Sequence, residues 1–376
     1  MFWLRSNVSV LIVTGCVFGF WMDGVYGQAT PLNAAKLIER FESEKSAAWL
    51  DDGKLTFFHQ INADKVQVAF AGQTKPMKRI AGSAVWTYQA SLPDLESGLM
   101  TYDFVSTVNG KSSGRGGRQY WRGPKAPPAI ATSRTMMGSI EHHEFESEAL
   151  NESRAVSVYL PNSTRKIAMV VYMADGEAVD SYARILDSSV ESGDLPPSAI
   201  VGTHSGVYRG HLELRRDDIQ RNVRALEYVP SLDPNRFAAH ERFFCEEVLK
   251  WAEEQYSLPT APLARVVFGF SNGGSFATTM GMRHPELFGY AIVCAAAGDR
   301  YDLSKSPKLT NQFFLVSGKW DSPFHGNMLY LHKSLTRAKV KCRLVTRAAA
   351  HDGTMWQEEF LSAMKAIHSS KLSSNQ

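Results

Sequence analysis

The sequence predicts an α/β fold with a mostly parallel central sheet, preceded by a small β-sandwich. Three observations predict it. From Ser139 onward, short continuous apolar runs alternate with helix-like segments, the pattern of strands covered on both faces by crossover helices. Between about Lys54 and Trp121 the chain carries short β-rich runs separated by Gly, Pro, Asn and Asp turns. Finally, Gly269-Phe270-Ser271-Asn272-Gly273-Gly274 follows the apolar run Arg265-Val266-Val267-Phe268 and precedes the small, apolar segment Ser275 to Met282. That order reads as strand, sharp turn, helix.

Residues 1–27 read as a secretory signal: Arg5 precedes the apolar stretch Val8 to Met22, and Val25-Tyr26-Gly27 offers a cleavage site before Gln28. The stretch is shorter than the roughly 18 to 20 residues of a membrane span, so no stable membrane insertion is expected. The expected location is exported, periplasmic or extracellular. Val13-Thr14-Gly15-Cys16 resembles a lipoprotein box and leaves anchoring at Cys16 as an alternative, against which the apolar residues after Cys16 argue.

Residues 28–53 are expected to form an N-terminal amphipathic helix with Leu32, Leu37, Ile38, Phe41 and Trp49 as its apolar positions. Residues 54–122 form the sandwich module, with strands at Leu55-Thr56-Phe57-Phe58, Val66 to Phe70, Val85 to Tyr88 and Met100 to Val105. The Pro-rich stretch opening at Gly123-Pro124 begins a stiff linker over 123–138. Residues 139–370 form the α/β domain. Its buried strands include Ile167 to Met173, Ala199 to Gly202, Gln312 to Ser317 and Cys342 to Thr346, and a helix runs from Asp233-Pro234 to Tyr256.

The 376 residues, 44% hydrophobic and 21% charged, suffice for a large core, and a net charge of +3 gives no sign of a nucleic-acid partner. Arg115, Arg118 and Arg122 read as a solvated loop face. Once Cys16 has left with the signal, Cys245, Cys294 and Cys342 are expected as buried free thiols, a disulfide pair being left open. Glu141-His142-His143-Glu144 lies in an alternating, strand-like segment and reads as a strand rather than a ligand cluster. No metal and no cofactor are expected.

The turn at Ser271 carries the chemistry. Flanking glycines let strand and helix approach where a Cβ would clash, and the strained turn lifts the serine hydroxyl above the sheet edge. The N–H of Asn272 is then free to meet an oxyanion. Gly110-Lys111-Ser112-Ser113-Gly114 fits the same Gly-x-Ser-x-Gly pattern but has no strand before it and no helix after it, so it reads as a flexible loop. A serine nucleophile needs a base, and the base an orienter. Asp321, after Gln312 to Gly318, and His351, after Cys342 to Thr346, stand at successive strand ends in the order Ser, Asp, His. Asp299 and Asp302 compete for the acid role from a less usual position, and Asp352 reads as a helix cap. The strand ending in Ala174-Asp175-Gly176-Glu177 offers the N–H of Glu177 as a second oxyanion donor. The long segment His204 to Pro230 is expected to build the pocket, with Arg209, Arg221 and Arg224 either pairing with an acidic substrate group or sitting in structural ion pairs.

Together these motifs resemble the esterase branch of the α/β-hydrolases that holds enterochelin, feruloyl and acetyl-xylan esterases, S-formylglutathione hydrolases and mycolyl transferases. The resemblance covers most of Ser139 to His368. It rests on Val156 to Pro161, Val171 to Gly176, Arg224 to Pro230, Gly269 to Gly274, Arg283 to Gly289, and His351-Asp352 with Trp356. It implies a Ser271, Asp321, His351 triad and hydrolysis of a small-molecule or polysaccharide ester through an acyl-enzyme. It also implies that the β-rich module is similar to the E-set or immunoglobulin-like sandwich preceding enterochelin esterases. An acyltransferase with the same triad and a non-catalytic carbohydrate-binding protein are the competing readings. Oligomeric state is not legible.

Overall fold

The structure, a computed structural model, describes residues 33–112, 118–132, 135–206, 222–298, 303 and 308–374. Helix α1 (Ala34–Glu44) is followed by β1 (Ala48–Asp51), β2 (Lys54–Gln60), β3 (Lys65–Phe70), β4 (Gln73–Pro76), β5 (Lys78–Arg79), β6 (Val85–Ala90), β7 (Leu99–Val108), β8 (Lys111–Ser112) and β9 (Gln119–Arg122). These strands form two antiparallel sheets, ordered β1-β2-β6-β5 and β4-β3-β7-β8, with β9 added to β7. Alternation along the strands fills the space between them. Leu55 and Phe57 of β2 meet Val66, Val68 and Phe70 of β3 and Met100, Tyr102 and Phe104 of β7 in one core. Phe58 points the other way and joins Leu37, Trp49 and Val85 in a smaller cluster under α1.

The expected helix over 28–53 is therefore cut short. Helix α1 ends at Glu44, where Lys45 takes φ 53° and returns its N–H to the Phe41 carbonyl at 2.8 Å. Trp49 is a strand residue, paired with Thr56 and packed 5.6 Å from the Phe58 ring. The apolar spacing that looked helical continued into a strand facing the same cluster. The second Gly-x-Ser-x-Gly copy is also corrected within its described part. Asn109 (φ 51°) and Gly110 (φ 71°) form a tight hairpin turn, and Lys111 and Ser112 pair with β7. Ser113 and Gly114 lie outside the described residues, as do Arg115, Asp299, Asp302 and residues 1–27 with Cys16.

The rest of the chain runs β10 (Ser139–Ser147), β11 (Glu152–Leu160), β12 (Met169–Ala174), α2 (Val179–Glu191), β13 (Ser198–Thr203), α3 (Val223–Tyr228), α4 (Pro234–Arg242), α5 (Leu249–Tyr256), β14 (Arg265–Phe270), α6 (Asn272–Arg283), β15 (Tyr290–Cys294), β16 (Gln312–Gly318), α7 (Phe324–Arg337), β17 (Cys342–Arg347) and α8 (Gly353–Ser374). A π-helical stretch, Phe243–Val248, joins α4 to α5, so the helix expected from Asp233 to Tyr256 is continuous. The sheet is mixed, in the order β10-β11-β13-β12-β14-β15-β16-β17. The pairs β10–β11 and β11–β13 are antiparallel, and every pair from β13 to β17 is parallel. Strands β12, β13 and β15 are buried at every residue, which is why they read as unbroken apolar runs.

One face of this sheet packs against residues of α4, α5, α6 and α7, the other against α2 and α8. Strand β12 leads through α2 to β13 on one side, and β14 leads through α6 to β15 on the other. Because β12 and β14 are neighbours whose connections diverge to opposite faces, a crevice opens at their carboxyl ends. Glu141 to Glu144 lie on β10, as expected of an alternating strand, and no metal-binding cluster occurs among the described residues. Cys245, Cys294 and Cys342 are free, the first two buried. No described helix is long and apolar enough to cross a membrane.

Candidate active site

Ser271 occupies the crevice end of β14 with φ 57° and ψ −126°, a backbone region that costs a non-glycine residue on the order of 1–3 kcal/mol. Neighbouring elements hold it there. Its N–H donates to the Cys294 carbonyl at 2.9 Å, and its own carbonyl accepts the Gly274 N–H at 3.0 Å. The glycines are steric necessities: a Cβ on Gly269 would overlap the Gly273 carbonyl, and one on Gly273 would come 2.6 Å from Asp175 Oδ2. Asn272 is the first residue of α6, so no carbonyl a turn earlier in the helix receives its N–H.

The strand beside it ends in a second strained turn. Asp175 has φ 62°, and Gly176–Ala178 form a single 3₁₀ turn that carries Glu177. Its carboxylate turns toward the end of β13 and accepts the Ser205 N–H at 3.1 Å. The buried Asp175 is paired with Arg224 through Nε and through an Nη2–Oδ2 bond of 2.8 Å. Arg224 also donates to the Phe270 carbonyl at 3.3 Å, which ties this turn to the residue before Ser271. Burial pulls the guanidinium pKa down, but its bonds to Asp175 outweigh this and leave it raised. The structural ion pair weighed for Arg224 is thus present. Arg209 and Arg221 lie outside the described residues.

Asp321 follows β16 and His351 follows β17. Asp321 is only 6% exposed, and its Oδ2 lies 2.8 Å from His351 Nδ1. Against an ionised carboxylate, which only accepts, Nδ1 is the donor, and a neutral imidazole so held presents its lone pair at Nε2. The imidazole is set between rings. Phe324 lies 4.4 Å away and Trp356 meets it edge-on at 4.7 Å, and Trp356 in turn stacks on Phe270 at 4.9 Å. That aromatic chain leads back to the residue preceding Ser271. Among the described residues no hydrogen bond joins Ser271 to His351; such bonds are commonly long without substrate and close in the complex.

Asp352 caps α8, accepting the Thr354 N–H at 2.8 Å, as its position beside a helix start implies. Sequence reading missed its second role. Asp352 Oδ2 also accepts the N–H of Thr101 at 2.7 Å and the Thr101 hydroxyl, 251 residues away. It equally missed Trp320, whose Nε1 donates to the Pro93 carbonyl at 2.9 Å and whose ring packs on the N-terminal core. No local pattern announces such contacts.

Beneath the site, Glu227 accepts from Arg154 and Arg236 and from the N–H of Gly206 at 2.9 Å. Burial pushes this carboxyl up, yet its bonds from Arg154 and the Gly206 N–H pull it down to about 2. His240, enclosed by Tyr228, Phe243 and Phe276, is pushed by burial down to about 4.

Residues 147–370, more than half of the chain, match the family described as "Putative esterase". An uncharacterised protein of Bacillus subtilis, YjcH, is 24% identical over 171 residues, 44% of this chain. An endo-1,4-beta-xylanase/feruloyl esterase of Xylanibacter ruminicola is 23% identical over 239 residues, 58% of this chain. The matches span 65% and 30% of those two relatives' lengths. Among solved structures, the enterobactin esterase of Shigella flexneri superimposes with a TM-score of 0.67 at 16% identity, over 86% of this chain and 97% of that one. The matched residues contain β11 to β17, the Ser271 turn, Asp321 and His351, and the chain belongs to this esterase family.

Proposed function

We propose that the protein is a serine esterase that cleaves carboxylic esters through an acyl-enzyme. The observation that carries this reading is the 2.8 Å contact between His351 Nδ1 and the buried Asp321, at the sheet edge where the strained Ser271 turn emerges. In this reading His351 Nε2 takes the Ser271 proton as Oγ attacks the ester carbonyl. Asp321 keeps the imidazole in the productive tautomer and stabilises the imidazolium. The N–H groups of Asn272 and Glu177, at the ends of adjacent strands, meet the oxyanion. His351 then protonates the leaving alcohol, and water releases the acid by the same route in reverse. Arg224 supports the oxyanion turn from behind through Asp175 and the Phe270 carbonyl.

The arrangement fits an α/β-hydrolase fold preceded by an immunoglobulin-like sandwich. Aromatic esters of the siderophore or feruloyl kind, or acetylated polysaccharide, are the substrate classes this reading favours. The fold likeness to an enterobactin esterase and the distant sequence relative named for feruloyl esterase activity support it. Export by residues 1–27 belongs to the same proposal. The test is a panel of catecholate, feruloyl and acetyl-sugar esters, with the released acid and alcohol quantified. Wild type should turn over at least one class, and Ser271→Ala should lose on the order of 10³-fold or more in kcat. Transfer of the acyl group to an added sugar in preference to water would favour the transferase reading. Binding of the sugar without turnover would overturn the esterase.

A further inference from the structure

We infer that strand β7 of the N-terminal β unit is a positioning element for the acid and base loops, with Thr101 and Asp352 as its central pair. The inference rests on the roles proposed above for Asp321 and His351. The pairing of β7 with β3 begins only at Tyr102, so Leu99, Met100 and Thr101 run on past β3, paired on one side with β9. Alternate residues of a strand direct their N–H groups to the same edge. On this open edge the Leu99 N–H donates to the Ala348 carbonyl at 3.0 Å, and the Thr101 N–H donates to Asp352 Oδ2 at 2.7 Å. The segment 348–352, which carries His351, is therefore strapped at both ends to one overhanging strand.

The acid loop is held by the same unit. The Trp320 N–H donates to the Ala349 carbonyl at 2.9 Å, binding the two loops together. The Trp320 indole donates to the Pro93 carbonyl at 2.9 Å while its ring packs against the sandwich core. Arg122 of β9 pairs with the buried Glu358 on α8, two residues beyond Trp356, the ring that meets His351 edge-on. Hydrogen bonds to a buried carboxylate are directional and strong, and Asp352 is 3% exposed. A rotation of the peptide after His351 would break the bonds from Thr101 or the cap of α8. Thr101 and Asp352 act through His351; neither is assigned a contact with substrate.

The test uses the full chain with Thr101→Val, Thr101→Ser and Asp352→Asn, melting curves confirming the fold of each. Asparagine is as good a helix cap as aspartate, so Asp352→Asn disturbs the link to Thr101 more than it disturbs α8. Two readouts are taken: kcat and KM on a reactive aryl ester, and the downfield proton resonance of His351 Nδ1. Thr101→Val and Asp352→Asn should lower kcat about tenfold with KM within about twofold, and should broaden or lose the proton resonance. Thr101→Ser should retain both. A folded Thr101→Val and a folded Asp352→Asn with near-wild-type kcat and an intact resonance would overturn the inference. So would a loss of activity confined to KM. Should wild type hydrolyse no ester, the esterase reading fails, while the resonance alone still decides whether β7 sets the imidazole.

Discussion

Ser271 and His351 face one sheet edge, yet the groups that hold them come from different parts of the chain. Ser271 is fixed by its own neighbourhood: two glycines, the first turn of α6 and one carbonyl on the next strand. His351 and Asp321 sit on loops whose anchors include Pro93, Leu99 and Thr101 in the N-terminal β unit. The comparison teaches that a strained turn, such as the proposed nucleophile requires, can be built locally, because strain is stored in a single turn braced by close backbone packing. The acid–base pair proposed above needs two separate loops held at hydrogen-bond distance, and a second folded unit anchors both of the loops that carry Asp321 and His351.

The largest expected effect breaks the second half directly. Asp321→Asn keeps the shape of the side chain but replaces one carboxylate oxygen with an amide donor, which in the proposed mechanism lets His351 adopt the wrong tautomer. The variant should lose on the order of 10³-fold in kcat with little change in melting temperature. Comparable activity in the variant would mean that Asp321 is structural.

The next effect strikes the first half. Gly273→Ala places a methyl group against the Asp175 carboxylate, which is itself tied to Arg224. Neither neighbour moves freely, so the variant should lose about 2–3 kcal/mol of stability by denaturant unfolding, together with most of its activity. A neutral Gly273→Ala would show that the turn is less tightly braced than the described contacts require.

A smaller effect separates the two halves by pH. His240 packs against Phe276 of helix α6, which begins at the Ser271 turn, and burial holds its pKa down to about 4 against an ordinary value of 6.5. Between those values the unfolded chain binds a proton that the folded chain refuses. The stability due to neutral His240 is complete above about pH 6.5 and is lost as pH falls toward 4. His240→Phe should flatten the acid limb of stability by about 2 kcal/mol between about pH 6.5 and 5, measured as unfolding free energy against pH. Parallel curves for the two proteins would contradict the assignment.

The same contrast explains what was legible in the sequence. The parallel strands stood out because burial on both faces forces unbroken apolar runs such as Met169 to Ala174. The Ser271 turn stood out because its steric demands fall on residues within a few positions. Asp321 and His351 could be placed by strand order. Their supports could not, since Thr101 and Asp352 are far apart in the chain and ordinary in composition. Trp49 misled because its spacing from Phe41 suits a helix, while Lys45 in the left-handed region ends that helix first. Helix α3 was hidden inside an Arg- and Tyr-rich stretch, where Asn222 caps it through the Ala225 N–H.

The most direct measurement is intact-mass analysis of wild type and Ser271→Ala after exposure to a fluorophosphonate, a reagent that captures only a serine activated by its base. An activated Ser271 predicts one adduct on the wild type and none on the variant. Absence of an adduct on folded wild type, or equal labelling of both proteins, would contradict the claim that this turn carries the nucleophile.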